Sequence, residues 1–187
     1  IKKIFYILIF STLFAFNASA AGSSSGNDGG SKIKKLTSYD SAVNKIKKAK
    51  KYEKKGKDEK AKKYYEQALK LLYKANKEKP LDPDTLNYLG FANRKVDNII
   101  DAEVYYIMGL EIDPKHVGIN EYLGELYVLT NRIDLAKGRL NVLKDCNCEE
   151  YQELKSIIDR LLKTPVNGVE LGCYFDKVVF SKYAMPN

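Results

Sequence analysis

PDTLNYLGFANRKVDNIIDAEVYYIMGLEIDPKH, residues 83–116, runs directly into VGINEYLGELYVLTNRIDLAKGRLNVLKDCNCEE, residues 117–150. Both stretches are 34 residues long and align without a gap: Leu89-Gly90 falls on Leu123-Gly124, Ala102 on Ala136, and Tyr106 on Leu140. A fixed period of this length marks stacked supersecondary units, each too small to bury its apolar face alone. Within each unit two apolar stripes at helical spacing predict a pair of antiparallel helices. A small residue on the first (Gly90, Gly124) and on the second (Ala102, Ala136) would let the two backbones approach closely.

Toward the N-terminus the same hairpin recurs in looser form. Tyr39, Ala42, Val43, Ile46, Ala49 and Tyr52 lie at steps of three and four, with lysines on the opposite face. Gly56 is expected to stop that helix and Asp58 to cap the next, whose stripe is Ala61, Tyr64, Tyr65, Ala68, Leu69, Leu72 and Ala75, before Pro80. With Ala61 placed on the repeat's alanine, Ala49 takes the glycine position and Tyr52 an aromatic one. This first repeat spans about 42–75, and about seven extra residues before the next unit require a longer second helix. Past the third unit, Tyr151, Leu154, Ile157, Ile158, Leu161 and Leu162 predict one more amphipathic helix over 150–163. Such a helix covers the face that the last hairpin would leave open.

The 34-residue period, with a leucine-glycine pair followed twelve residues after the glycine by alanine, resembles the tetratricopeptide repeat (TPR). Tyr127 supplies the aromatic the pattern expects on the first helix, and Pro114 the stop at the end of a unit. Asn93 in place of that aromatic, Gly109 in place of a common alanine and Cys148 in place of proline depart from it. The resemblance implies an all-α fold over 38–163: antiparallel helical hairpins stacked as a short solenoid of three repeats plus a cap helix. It also implies that the first helix of each unit lines a concave groove that holds a peptide or protein. Carried onto this chain, the groove positions are Lys50 and Glu53, then Asn87, Phe91 and Arg94, then Glu121, Glu125 and Val128. Asn87 with Arg94 suits a carboxylate or backbone amide, and Glu121 with Glu125 a basic segment. The mixture does not match the basic clamp used by chaperone-binding members of the family.

Charge is divided along the chain. Residues 32–79 carry 18 lysines against 6 carboxylates, whereas residues 81–187 carry 12 basic groups against 17 acidic ones. That asymmetry favours an interaction protein, or head-to-tail self-association, over a uniformly basic nucleic-acid binder. Lys2-Lys3, an apolar run from Ile4 to Phe16 and Ala18-Ser19-Ala20 read as a bacterial export signal over 1–20. The run is shorter than the roughly 20 residues a membrane-spanning helix needs. Periplasm is the expected destination, with membrane anchoring if the signal is kept. Residues 21–37 begin with a Gly/Ser-rich flexible linker (GSSSGNDGGS, 22–31). Residues 164–187 change character: Val166-Asn167-Gly168-Val169 reads as a turn, and Cys173-Tyr174-Phe175 with Val178-Val179-Phe180 suits either a small hairpin or a disordered tail.

Catalysis finds little support. The one histidine, His116, sits at a repeat junction where capping is its expected role, and acid-base work needs a second positioned group. No phosphate loop, His-x-x-x-His pair or nucleophile elbow occurs, and no metal or cofactor is expected. In an oxidising compartment Cys146, Cys148 and Cys173 offer a crosslink from Cys146 or Cys148 to Cys173, or a tight Cys-x-Cys bond with thiol chemistry. The lysines at 45, 47, 48, 50, 51, 54 and 55 suit a solvated face, or docking to an anionic membrane surface as the alternative to a groove-binding role.

Overall fold

Thr37 begins the first helix through a reciprocal cap. Its side chain accepts from the Asp40 amide at 3.0 Å, and Asp40 accepts from the Thr37 amide at 3.2 Å. The computed structural model describes residues 36–163, which form seven helices. In chain order they are α1 (Ser38–Glu53), α2 (Asp58–Glu78), α3 (Pro83–Lys95), α4 (Ile99–Ile112), α5 (Val117–Leu129), α6 (Ile133–Leu143) and α7 (Glu149–Lys163). The architecture is all-α among the described residues. The export-signal reading of 1–20, most of the linker and the tail reading of 164–187 lie outside them.

The turns inside the three hairpins repeat one another atom for atom. The amide of Lys57 bonds the carbonyl of Tyr52 at 3.0 Å, Asn98 that of Asn93 at 2.9 Å, and Arg132 that of Tyr127 at 2.7 Å. Each turn passes through a left-handed residue: Gly56 at φ 63°, Asp97 at 70° and Asn131 at 57°. Gly, Asp and Asn are the residue types that tolerate this conformation. Gly56 therefore ends α1, but Asp58 does not cap α2. It is the first helical residue, where its charge favours the positive helix end, and Lys57 holds the cap position without a side-chain bond. The surplus residues of the first unit lengthen α2, which has 21 residues against 14 in α4 and 11 in α6.

Each hairpin packs chiefly on itself and then on the next, so that α1, α3, α5 and α7 succeed one another along one side. One buried cluster joins Ala42, Ile46 and Ala49 of α1 to Ala61, Tyr65, Ala68 and Leu72 of α2 and to Leu86, Leu89 and Phe91 of α3. A second joins Ala102 and Tyr106 of α4 to Ile119, Leu123 and Leu126 of α5 and to Leu154 and Ile158 of α7. Burying each such Leu or Ile contributes about 1.5–3 kcal/mol. The repeat glycines act differently from the expected Gly-to-Ala approach. A Cβ at Gly90 would overlap the Tyr106 ring, and one at Gly124 would overlap Leu154 of α7. Glycine in the first helix thus seats a large side chain, from the hairpin partner in one unit and from the cap helix in the next.

Candidate partner-binding face

The helices α1, α3 and α5 bring most of the register-derived positions together. Arg94 and Glu125 pair at 2.8 Å with both side chains under 5% exposed. Lys95 donates to Glu53 at 2.9 Å, and the second oxygen of Glu53 accepts the Tyr65 hydroxyl at 2.8 Å. The Lys50 ammonium lies 4.7 Å from the centre of the Phe91 ring. The Arg94 guanidinium stands 5.8 Å from Phe91 and 5.5 Å from Tyr122. A carboxylate oxygen from each of Glu121, Glu125 and Glu153 lies within 4.8 Å of the other two. Opposite charges from four helices therefore share a partly dehydrated space.

Dehydration governs the titration of this space. Burial pushes the Lys95 pKa down to about 8, opposed chiefly by Glu53. Burial lowers that of Lys50 as well, while Glu121, Glu125 and Glu53 pull it back upward. The Tyr65 and Tyr122 phenols move up, mainly through burial and secondarily through Glu53 for the first and Glu121 for the second. Charges taken out of water in this way need partners, because removing one partner strands the other at a cost of several kcal/mol. The three-glutamate group also fits this account: Arg94 and Lys50 supply the positive charge that a bound cation would otherwise bring.

Three register-derived positions stand apart. Phe91 was expected in the groove but is fully buried, edge-on to Tyr65 at 5.8 Å and 5.0 Å from Tyr122. Val128, also expected there, belongs to the second apolar cluster. Both are apolar groups on helices covered by neighbouring hairpins, so packing claims them. Asn87 is buried against the start of α5, where a Cβ on Gly118 would come within 2.8 Å of its Nδ2; its Oδ1 has no hydrogen-bond partner among the described residues. The repeat register alone misses Lys95, Tyr65, Tyr122 and Glu153. Lys95 follows Arg94 directly, and Glu153 flanks the apolar stripe of α7. A count of charges bordering apolar stripes on successive first helices would have flagged both.

His116 caps α5. Its Nδ1 accepts from the Ile119 amide at 3.2 Å, which leaves the proton on Nε2 to face Asp84 at 3.2 Å. Cys146 and Cys148 are disulfide-bonded to each other, two residues apart in the chain, between α6 and α7. This is the tight Cys-x-Cys bond, one of the two pairings open in the sequence; Cys173 lies outside the described residues. No described helix is long and apolar enough to cross a membrane.

No family model and no curated protein matches the chain. Among solved structures it is similar to the first TPR of Spaghetti (RPAP3) bound to the HSP90 peptide SRMEEVD. The identity is 19% and the TM-score 0.43, over 68% of this chain and 98% of that one.

Proposed function

We propose that this chain is a protein-interaction adaptor of the tetratricopeptide kind, exported to the periplasm, that holds a peptide or protein against the face formed by α1, α3 and α5. The observation that carries the reading is the convergence of Lys50, Glu53, Arg94, Glu121 and Glu125 from three successive hairpins into one dehydrated ionic cluster. Charges kept from water bind an incoming charged group more strongly and more selectively than exposed ones. Glu121, Glu125 and Glu153 outnumber the basic groups at their end of the cluster, which suits a partner segment bearing Lys or Arg. Export is supported by Lys2-Lys3, the apolar run after them and Ala18-Ser19-Ala20. Binding rather than catalysis is supported by His116, whose Nδ1 is committed to the α5 cap and whose Nε2 faces Asp84.

The test must spare the fold, which rules out truncating Arg94. Glu121→Gln with Glu153→Gln keeps shape and removes two negative charges. The mature chain from Ala21 onward, wild type and double variant, is used to capture proteins from native cell envelope. A protein held by wild type and lost by a variant of unchanged melting temperature supports the adaptor reading. Equal recovery by both would sink it.

A further inference from the structure

The outer side of the first hairpin carries a second, unlike site. Lys48 and Lys51 of α1 and Lys55 of the turn that follows it, with Tyr52 between them and Tyr64 from α2, line an open cavity of about 320 Å³. Positions 48, 51 and 52 follow the i, i+3, i+4 spacing of one helix face, and the turn brings Lys55 to the same cavity. Tyr52 and Tyr64 stack at 5.3 Å and 12°, with the Lys60 ammonium 4.5 Å from the Tyr52 ring centre and that of Lys45 5.5 Å from Tyr64. The nearest carboxylate along α1, Glu53, is turned away to Lys95 and Tyr65. Among the described residues, the other salt bridges within the first two helices use Lys62 and Lys74, not the cavity lysines. Like charges this close, with no acid among them, work against the helix unless an anion sits there.

From this geometry we infer that the cavity binds a phosphate group, as a monoester or diphosphate, held by Lys48, Lys51 and Lys55 with the Tyr52 hydroxyl as a further donor. The donors decide the class. Three ammonium groups and the Tyr52 phenol call for a compact dianion with at least three acceptor oxygens, which phosphate supplies and a single carboxylate does not. The cavity is too small for a helix or a strand but large enough for one such group and the atoms joined to it. The Lys60 ammonium beside Tyr52 holds that phenol's pKa below its ordinary value, so the O–H is a stronger donor than usual. The site lies on the other side of α1 from the ionic cluster and stands or falls independently of the adaptor reading.

Pyrophosphate is titrated into the full chain by calorimetry, with phosphatidic acid in phosphatidylcholine vesicles as the lipid-borne form of the same group. Lys51→Ala with Lys55→Ala should weaken pyrophosphate binding at least about tenfold with helicity unchanged, since each loses a charge-assisted hydrogen bond. Lys70→Ala with Lys77→Ala, an equal loss of charge elsewhere on α2, should weaken it less than about twofold. Tyr52→Phe, which keeps the ring and removes the donor, should fall between. Binding of pyrophosphate without vesicle binding assigns a soluble phosphorylated ligand; binding of both assigns a headgroup. No saturable binding, equal losses in the two lysine pairs, or tighter binding of a polyglutamate peptide overturns the inference.

Discussion

Lys50 and Lys51 are adjacent in sequence and differ in nearly everything else. Lys50 points into the space shared by α1, α3 and α5, loses water and is held by Glu121, Glu125 and Glu53. Lys51 lies on a different side of α1, exposed, beside Lys48 and Lys55 in a cavity whose lining has no acid. Helical geometry alone sets them about 100° apart, and the neighbours do the rest. A run of lysines is therefore not one functional unit: on the inner face they complete an ionic network, and on the outer face they await an anion.

The hardest blow to the inner face is Arg94→Ala. It takes the 2.8 Å partner from the buried Glu125 carboxylate, and unfolding by urea should show a loss of about 3–5 kcal/mol. Replacing both members by apolar groups, Arg94→Met with Glu125→Leu, should recover most of that loss, because the desolvation of both charges then disappears. If the single and double variants are equally unstable, the pair does not act as described.

Alkaline titration separates the two faces next. With the Lys95 pKa at about 8 in the folded chain and about 10.4 when unfolded, the unfolded chain holds the proton over that interval while the folded chain has released it. Unfolding then binds protons, so stability rises with pH through that window, by about 3 kcal/mol if Lys95 acts alone. Lys50 works in the same direction. Above roughly pH 10 the sign reverses, because Tyr65 and Tyr122 keep their protons when folded and lose them when unfolded. The midpoint of urea unfolding should peak between roughly pH 9 and 10. In Lys95→Met the rise should be largely gone, and a rise of the same height in that variant would remove Lys95 from the account.

The Cys146–Cys148 bond belongs to neither face and serves as the covalent control. It closes a loop of only three residues, so by loop entropy its reduction costs less than about 2 kcal/mol. Treatment with a reducing agent should lower the melting temperature slightly and leave the alkaline rise intact. Loss of that rise on reduction would mean the ionic cluster depends on the α6–α7 connection.

The all-α architecture was legible because its signals are local. The 34-residue period, the helix stop at Gly56 and the apolar stripes each read directly from spacing, whereas the matching left-handed turns at Asp97 and Asn131 appear only in the structure. The seven-residue difference between α2 and α4 also followed, since a hairpin turn fixed at Tyr52 and Asn93 leaves only the second helix to absorb them. What was not legible depends on which helix arrives opposite. Gly124 was read as a seat for Ala136, whereas Leu154 from the cap helix occupies it. Phe91 and Val128 occupy groove positions in the repeat register, yet packing against neighbouring hairpins takes them into the core. The ionic partners were half visible: Arg94, Glu125 and Glu53 came from the register, but Lys95 came from a contact between hairpins that no single repeat encodes, and Tyr65 from a hydrogen bond across the first hairpin.

The smallest effect discriminates best. Lys51→Ala removes an exposed charge that pairs with no described acid, and surface substitutions of that kind leave stability close to unchanged. Lys50→Ala removes one methylene stem and one charge of the same size from the next position, yet leaves Glu121 and Glu125 with less compensation in a dehydrated space. Thermal unfolding of the two variants side by side should show a clear drop for Lys50→Ala and none for Lys51→Ala. Composition, helix propensity and net charge are identical in the pair, so only the direction each side chain faces can separate them. Equal midpoints would mean that water reaches Lys50 as freely as Lys51, and the dehydrated cluster on which the partner-binding face rests would be open to solvent.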